Sequence, residues 1–289
     1  MSILKIFVLA IVQGAAELLP VSSSAHVIVA EKLMGLDPTS PEMTLLLVML
    51  HTGTMFAVIF FFWSSWKQNF FASQKVFLNS AKFIVVATLF TAITGLLLKL
   101  LIEKIFMKGV PHAEIELLFG NLDLVSISLA CAGILIMIAG WKTHQRPGAK
   151  PGLDTKSSSW IGIVQGVCLP FRGFSRSGAT ISTGLLLGIE KARAEEFSFA
   201  LAVVLTPPVI AREILRLLKA QHVNTLTSAS TMSLFYPSLL GMVLSFIAGI
   251  LALRWLSNWL VRGRWHFFGI YCIVAALAVF LLNVTLFVE

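Results

Sequence analysis

Two stretches of otherwise apolar sequence carry side chains that can do chemistry. The first, Ile11 to His26, holds Gln13 and Glu17 four residues apart, then Pro20, then Ser22, Ser23 and Ser24, then His26. The second opens on the same four residues, Ile163-Val-Gln-Gly166, and runs on through Gly173-Phe-Ser-Arg-Ser-Gly-Ala-Thr180. On a helix Gln13 and Glu17 share a face. Pro20 ends that helix by removing a donor and restricting its predecessor. The serines then stand where the next short helix begins, where an oxygen caps free backbone N–H groups and where such groups also attract phosphate. His26 follows Ser23 by three residues, within reach of a hydroxyl on the adjacent turn. In the second stretch Ser175 and Ser177 flank Arg176, Gly173 and Gly178 permit tight backbone geometry, and Thr180 adds a hydroxyl. A guanidinium beside hydroxyls and helix-start N–H groups is a phosphate cradle. Arg172 reads equally as a second clamp or as an interface anchor. Helix capping alone would explain the serines, but not Glu17 and His26 in the same apolar loop.

The elements that must hold these groups are membrane elements. Hydrophobic residues make up 57% of the 289-residue chain and charged ones 12%, with a mean hydropathy of +0.88, which excludes an ordinary soluble domain. A hydrocarbon core of about 30 Å takes roughly 20 residues of helix, and six plain runs meet that length, near 43–63, 81–101, 122–140, 196–214, 235–256 and 265–287. The two chemistry-bearing segments, about 3–34 and 159–189, instead read as helix, irregular turn, helix. Each arm is too short to cross alone, which predicts a re-entrant hairpin. Ionisable groups at membrane depth are costly and mark function by default. The first apolar stretch lacks a small-residue cleavage site, so no cleavable signal peptide is expected. Cys131, Cys168 and Cys272 sit singly in apolar runs, fitting neither a disulfide framework nor a zinc site.

With both hairpins returning to the side they enter from, one set of connections (64–82, 141–158, 190–195 and 254–264) holds twelve basic residues and the other side eight. The richer side is cytoplasmic, so both termini lie outside, and the formal charge of +8 reflects topology with no need of nucleic acid. The first hairpin then dips in from outside and the second from inside. Gln13 and Gln165 are 152 residues apart, and the spans that follow the hairpins (from Glu42 and from Glu196) extend the likeness. The expected architecture is an all-α polytopic membrane protein, with six full transmembrane helices and two re-entrant helix-turn-helix hairpins. It forms one integral-membrane domain over 1–289, with inverted repeat halves near 1–140 and 156–289. Paired interrupted segments in inverted halves mark a substrate site at the repeat interface.

These residues resemble the bacterial undecaprenyl-diphosphate phosphatase family, the integral-membrane type associated with bacitracin resistance. Gln13-Gly-Ala-Ala-Glu17 matches its (Glu/Gln)-x-x-x-Glu motif and Leu19-Pro-Val-Ser-Ser-Ser-Ala-His26 the segment after it. Gly173-Phe-Ser-Arg-Ser-Gly-Ala-Thr180 matches its Pro-Gly-x-Ser-Arg-Ser-x-x-Thr motif, except that Arg172 stands in place of the proline. Pro170 lies two residues earlier, so the turn reads as carrying an insertion, Phe171-Arg172. The resemblance covers essentially the whole chain. It implies a hydrolase that converts undecaprenyl diphosphate to undecaprenyl phosphate, recycling the lipid carrier of cell-wall synthesis. It also implies a divalent cation, Mg²⁺ or Ca²⁺, and a site open to the outer, periplasmic face of the bacterial cytoplasmic (inner) membrane.

The expected catalytic groups are Glu17, Ser23, His26 and Arg176, with Glu17 also the metal ligand. Gln13, Ser22, Ser24, Gly173, Ser175, Ser177 and Thr180 are expected to bind substrate. Arg176 and the cation would neutralise the transferring oxygens. The nucleophile is Ser23 activated by His26, or a water activated by the same groups, or His26 itself. Expected partners are the polyprenyl diphosphate and membrane lipid, and not nucleic acid; the oligomeric state, a homodimer included, stays open. The alternative from another class is a lipid-phosphate transporter or flippase that binds the same head group without cleaving it. A carboxylate beside a pure phosphate-recognition site would repel its ligand unless a metal intervened.

Overall fold

A computed structural model describes residues 2–37, 40–106, 115–144, 152–223 and 228–287. Every regular element among the described residues is helical. Six helices are long and apolar enough to cross a membrane: Met43–Asn69, Gln74–Ile105, Leu122–Thr143, Lys191–Ala211, Phe235–Val261 and Trp265–Thr285. Each coincides with one of the six spans expected from hydropathy, and the chain is an all-α, multi-pass membrane protein. The helices containing these spans are α3 (Pro41–Asn69), α4 (Gln74–Leu101), α5 (Leu122–His144), α8 (Lys191–Val223), α9 (Ser228–Val261) and α10 (Trp265–Leu282). Of the charges weighed for orientation, Lys108, Arg146 and Lys150 lie outside the described residues.

The other four helices are short and paired. They are α1 (Ile3–Leu18) with α2 (Ser23–Leu33), and α6 (Thr155–Cys168) with α7 (Arg176–Leu186). At 1.5 Å per residue the longest of them, with 16 residues, extends about 24 Å, short of a 30 Å core. Local chemistry sets their ends. Leu19, before Pro20, is extended (φ −71°, ψ 152°), the conformation that a proline ring favours in its predecessor. Leu169, before Pro170, stays helical (φ −64°, ψ −49°), so the second turn begins differently from the first. Asp154 opens α6 with a capping box, accepting from the Ser157 N–H at 2.7 Å while its own N–H donates to Ser157 Oγ at 3.0 Å. That satisfies two orphan groups reciprocally.

The chain forms two compact units, each drawing on both halves of the sequence. The first comprises Met1–Leu19, His26–Trp63 and Ala202–Leu256; the second comprises Pro20–Ala25, Ser64–Leu201 and Ser257–Glu289. Packing thus cuts across the expected halves 1–140 and 156–289.

In the first unit Ile6, Leu9 and Ala10 of α1 pack with Val27 of α2 and with Met43, Leu46 and Leu50 of α3. Helix α9 joins through small residues. A Cβ on Gly14 would lie 2.7 Å from Ala248 Cβ, and one on Gly53 would lie 2.3 Å from the Met242 carbonyl oxygen. Lipid offers no hydrophobic drive between helices, so such close approach is how they bind one another.

In the second unit α4 packs on α6, and α5 packs on both α7 and α10. Gly162 and Gly166 of α6 press on Ala87 and on Thr91 and Thr94 of α4, and Gly133 meets Gly269. The two buried carboxylates that start α8 are both satisfied. Glu196 accepts from Ser65, from Asn69 Nδ2 at 3.0 Å and from Arg193 at 3.4 Å; Glu195 accepts from Ser257.

Candidate active site

Gln13, Glu17 and His51 lie in the first unit. Gln13 and Glu17 sit one turn apart on α1, and Gln13 Nε2 donates to Glu17 Oε2 at 3.1 Å. His51 of α3 approaches the same oxygen, with Nε2 at 4.0 Å, an ion-pair distance. Its other nitrogen, Nδ1, lies 2.8 Å from the Leu47 carbonyl. A carbonyl can only accept, so Nδ1 carries the hydrogen and Nε2 is the nitrogen toward Glu17. The two glycines beside these residues fix the geometry, because Gly14 and Gly53 both close on the Ser245 turn of α9. Ser245 Oγ also donates to Leu50 O at 3.0 Å, tying α9 to the turn of α3 that carries His51.

His51 is missing from the residues that sequence reasoning selected, where 43–63 is a plain span. The signal was one imidazole inside that apolar run, which by the rule for intramembrane ionisable groups is a functional hypothesis. What the pattern could not supply was the partner, 34 positions away.

Ser22, Ser23, Ser24, Ser175, Arg176, Ser177 and Thr180 lie in the second unit, and His26 in the first. Ser22 caps α2, accepting from the Ala25 N–H at 3.4 Å, and Ser175 caps α7, accepting from the Gly178 N–H at 3.2 Å. The first helical residue after the cap is Ser23 in one hairpin and Arg176 in the other. Ser23 and His26 are three positions apart on α2, hence neighbours on its surface, and Ser24 lies half-buried beside them. Ser175 and Ser177 are both buried, their hydroxyls 3.5 Å apart. The Thr180 hydroxyl lies 2.8 Å from the Arg176 carbonyl and 2.6 Å from Ser198 Oγ on α8, so it braces the first turn of α7. Gly173 has no room for a side chain, since a Cβ there would lie 2.0 Å from the Val125 carbonyl oxygen. Arg172 points elsewhere than a simple second clamp would: its guanidinium lies 4.1 Å from the centroid of the Phe119 ring.

The first unit offers a carboxylate oriented by an amide and an imidazole, and the second a guanidinium at a serine-capped helix start. Each of these group types serves phosphate chemistry: the carboxylate can hold a cation, and the guanidinium and hydroxyls can bind phosphate oxygens. The sequence matches the family described as bacitracin resistance protein BacA over residues 6–278. The chain belongs to that family. It is 57% identical over 274 residues, covering 94% of this chain and 95% of the relative, to a protein of Acinetobacter baylyi named undecaprenyl-diphosphatase 2. It is 34% identical, over 96% of this chain and 95% of the relative, to a protein of the same name from Burkholderia thailandensis. A Bacteroides fragilis protein named undecaprenyl-diphosphatase is 30% identical over 92% of this chain and 93% of its own length. The resemblance drawn from the two motifs is therefore a family membership that spans nearly the whole chain.

Proposed function

We propose that this chain hydrolyses undecaprenyl diphosphate to undecaprenyl phosphate and inorganic phosphate, acting in a bacterial cytoplasmic membrane with its site open to the outer face. The observation that carries the reading is full-length similarity to proteins named for this reaction, in a chain that carries Glu17, Ser23, His26 and Arg176 on or beside two helix-turn-helix pairs, with His51 of α3 against Glu17. The shortness of α1, α2, α6 and α7 supports re-entrant hairpins, and the excess of basic residues on one set of connections supports the orientation.

In the proposed reaction the terminal phosphate lies at the start of α7, where Arg176 and the Ser175 and Ser177 hydroxyls neutralise its oxygens, with the positive end of the helix beside them. Ser24, Gly173 and Thr180 complete or brace this cradle. Ser23 Oγ attacks the terminal phosphorus and gives its proton to His26, and the bond to the bridging oxygen breaks to release undecaprenyl phosphate. Water then cleaves the phosphoserine to regenerate Ser23 and free inorganic phosphate. Direct attack by a water held by the same groups gives the same products.

Among the described residues no three His, Cys, Asp or Glu side chains gather as a metal cage. One carboxylate, Glu17, with Gln13 and His51 behind it, fits a cation shared with substrate phosphates, since Mg²⁺ commonly takes one or two carboxylates plus phosphate oxygens. Glu17 would hold it, and when bound it would supply charge neutralisation on the diphosphate. Phosphate release from farnesyl diphosphate by the purified chain in detergent tests the proposal. Binding of the diphosphate without phosphate release would refute it and leave a lipid-phosphate carrier.

A further inference from the structure

Ser22 has an unusual backbone. Its φ is +66°, and it is the only described non-glycine residue in the left-handed region, a conformation that disfavours L side chains and persists only where its surroundings hold it. It is also buried, with 5% of its surface exposed. Its hydroxyl is used twice inside the protein: it donates to the Arg172 carbonyl at 2.8 Å and accepts from the Ala25 N–H. The acceptor sits in a turn held from three directions. Phe174 N–H donates to Phe171 O at 2.9 Å, Gly173 is wedged against α5 at Val125, and the Arg172 guanidinium stacks over Phe119. This is the turn in which Arg172 stands where the family motif has proline, so the turn lacks the φ restraint that a proline would supply.

We propose that Ser22 is a positioning residue, and that Phe119, Arg172 and Ser22 form a strap joining the turn of the first hairpin to that of the second. The strap replaces the missing proline restraint and sets where α2 begins, and with it the direction of Ser23 and His26. It rests on the hydrolase reading above. Because the Ser22 hydroxyl is committed to Arg172 O, its deletion acts on the chemical step and not on recognition of phosphate.

The test uses the full chain in detergent with farnesyl diphosphate as substrate, and follows thermal melting and binding of farnesyl methylenebisphosphonate alongside kcat and KM. Ser22→Ala is expected to lower kcat by at least about tenfold, as small displacements in an active site do, with KM and bisphosphonate affinity within about threefold. Ser22→Gly, which suits a positive φ, is expected to melt at or above the wild-type temperature and still lack the lost kcat, separating positioning from folding. Phe119→Leu is expected to lower kcat in the wild-type chain and to add little in Ser22→Ala, because both cut one strap. A rise in KM with unchanged kcat, an unimpaired Ser22→Ala, or full additivity of Phe119→Leu and Ser22→Ala would overturn the proposal. No phosphate release by the wild type would instead overturn the hydrolase reading, so the two failures are distinct.

Discussion

Replacing Gly53 by alanine tests whether the acidic half of the site depends on helix docking far from any reacting atom. The added Cβ would lie 2.2 Å from Ser245 Oγ, 2.3 Å from Met242 O and 3.1 Å from Met242 C. The hydroxyl could rotate, at the loss of its bond to Leu50 O, but the Met242 carbonyl is helix backbone. Ordinary contact starts near 3.4 Å, so α3 and α9 must part by about 1 Å, an overpacking that costs roughly 1–3 kcal/mol. Losing the Ser245 bond adds about 1 kcal/mol. His51, two residues away, then shifts relative to Glu17, and a 1 Å misplacement in a catalytic array can cost about a hundredfold in rate. Gly53→Ala should therefore melt well below the wild type in detergent and release phosphate at least tenfold more slowly, by the same positional argument. Adding Ser245→Ala should rescue little, because the carbonyl clash remains. Gly152→Ala, which meets nothing within 4 Å, is the matched silent control. A Gly53→Ala chain with wild-type melting and turnover would refute the joint.

Four further outcomes follow from the same geometry. His51→Leu should lower kcat while His51→Gln, whose amide can turn an N–H toward Glu17, should retain more of it; equal loss in both would mean that the contact with Glu17 does not matter. Arg176→Ala should weaken binding and slow turnover by about 10²-fold or more, whereas Glu17→Gln should be partly restored by excess Mg²⁺; normal turnover in Arg176→Ala would end the cradle assignment. Ser23→Ala retaining more than about a hundredth of normal activity, a barrier change under 3 kcal/mol, would move the attack to water or His26. With the native cysteines replaced, cysteines at Gln68 and Lys142 should label from the cytoplasm and one at Asp37 from outside; all three labelling from one side would overturn the inverted orientation.

The long helices were legible because apolar length is a direct physical requirement of the bilayer. Their true ends were not, because polar residues continue a helix beyond its apolar window: α8 runs on through Pro207 and Pro208 to Val223, past the expected end at 214. The breaks between α1 and α2 and between α6 and α7 were legible through Pro20, the serines and Gly173, whose conformational demands are local. Pairings across the chain were not. Ser22 and Arg172 are 150 positions apart, and nothing in either residue type names a backbone carbonyl as the partner. The Ser22 backbone was equally hidden, since serine at a helix start ordinarily predicts an extended cap.

The two hairpins keep a common frame and divide the charges between them. Gln13 and Gln165 are both fully buried, and Ser22 and Ser175 cap the second arm of each pair. In the first hairpin the glutamine amide serves a carboxylate one turn on. In the second that position is Leu169, and Gln165 Nε2 donates to Thr91 Oγ1 at 3.0 Å instead. Its Oε1 has no hydrogen-bond partner among the described residues, although an unsatisfied buried acceptor ordinarily costs about 1–3 kcal/mol. After the cap the first hairpin carries a hydroxyl, Ser23, and the second a guanidinium, Arg176. A glutamate in both hairpins would set two like charges against one anionic substrate, and an arginine in both would replace Ser23, the attacking hydroxyl of the proposed reaction. In the proposed reaction the acid of one hairpin would hold the cation and the guanidinium of the other would bind the phosphate.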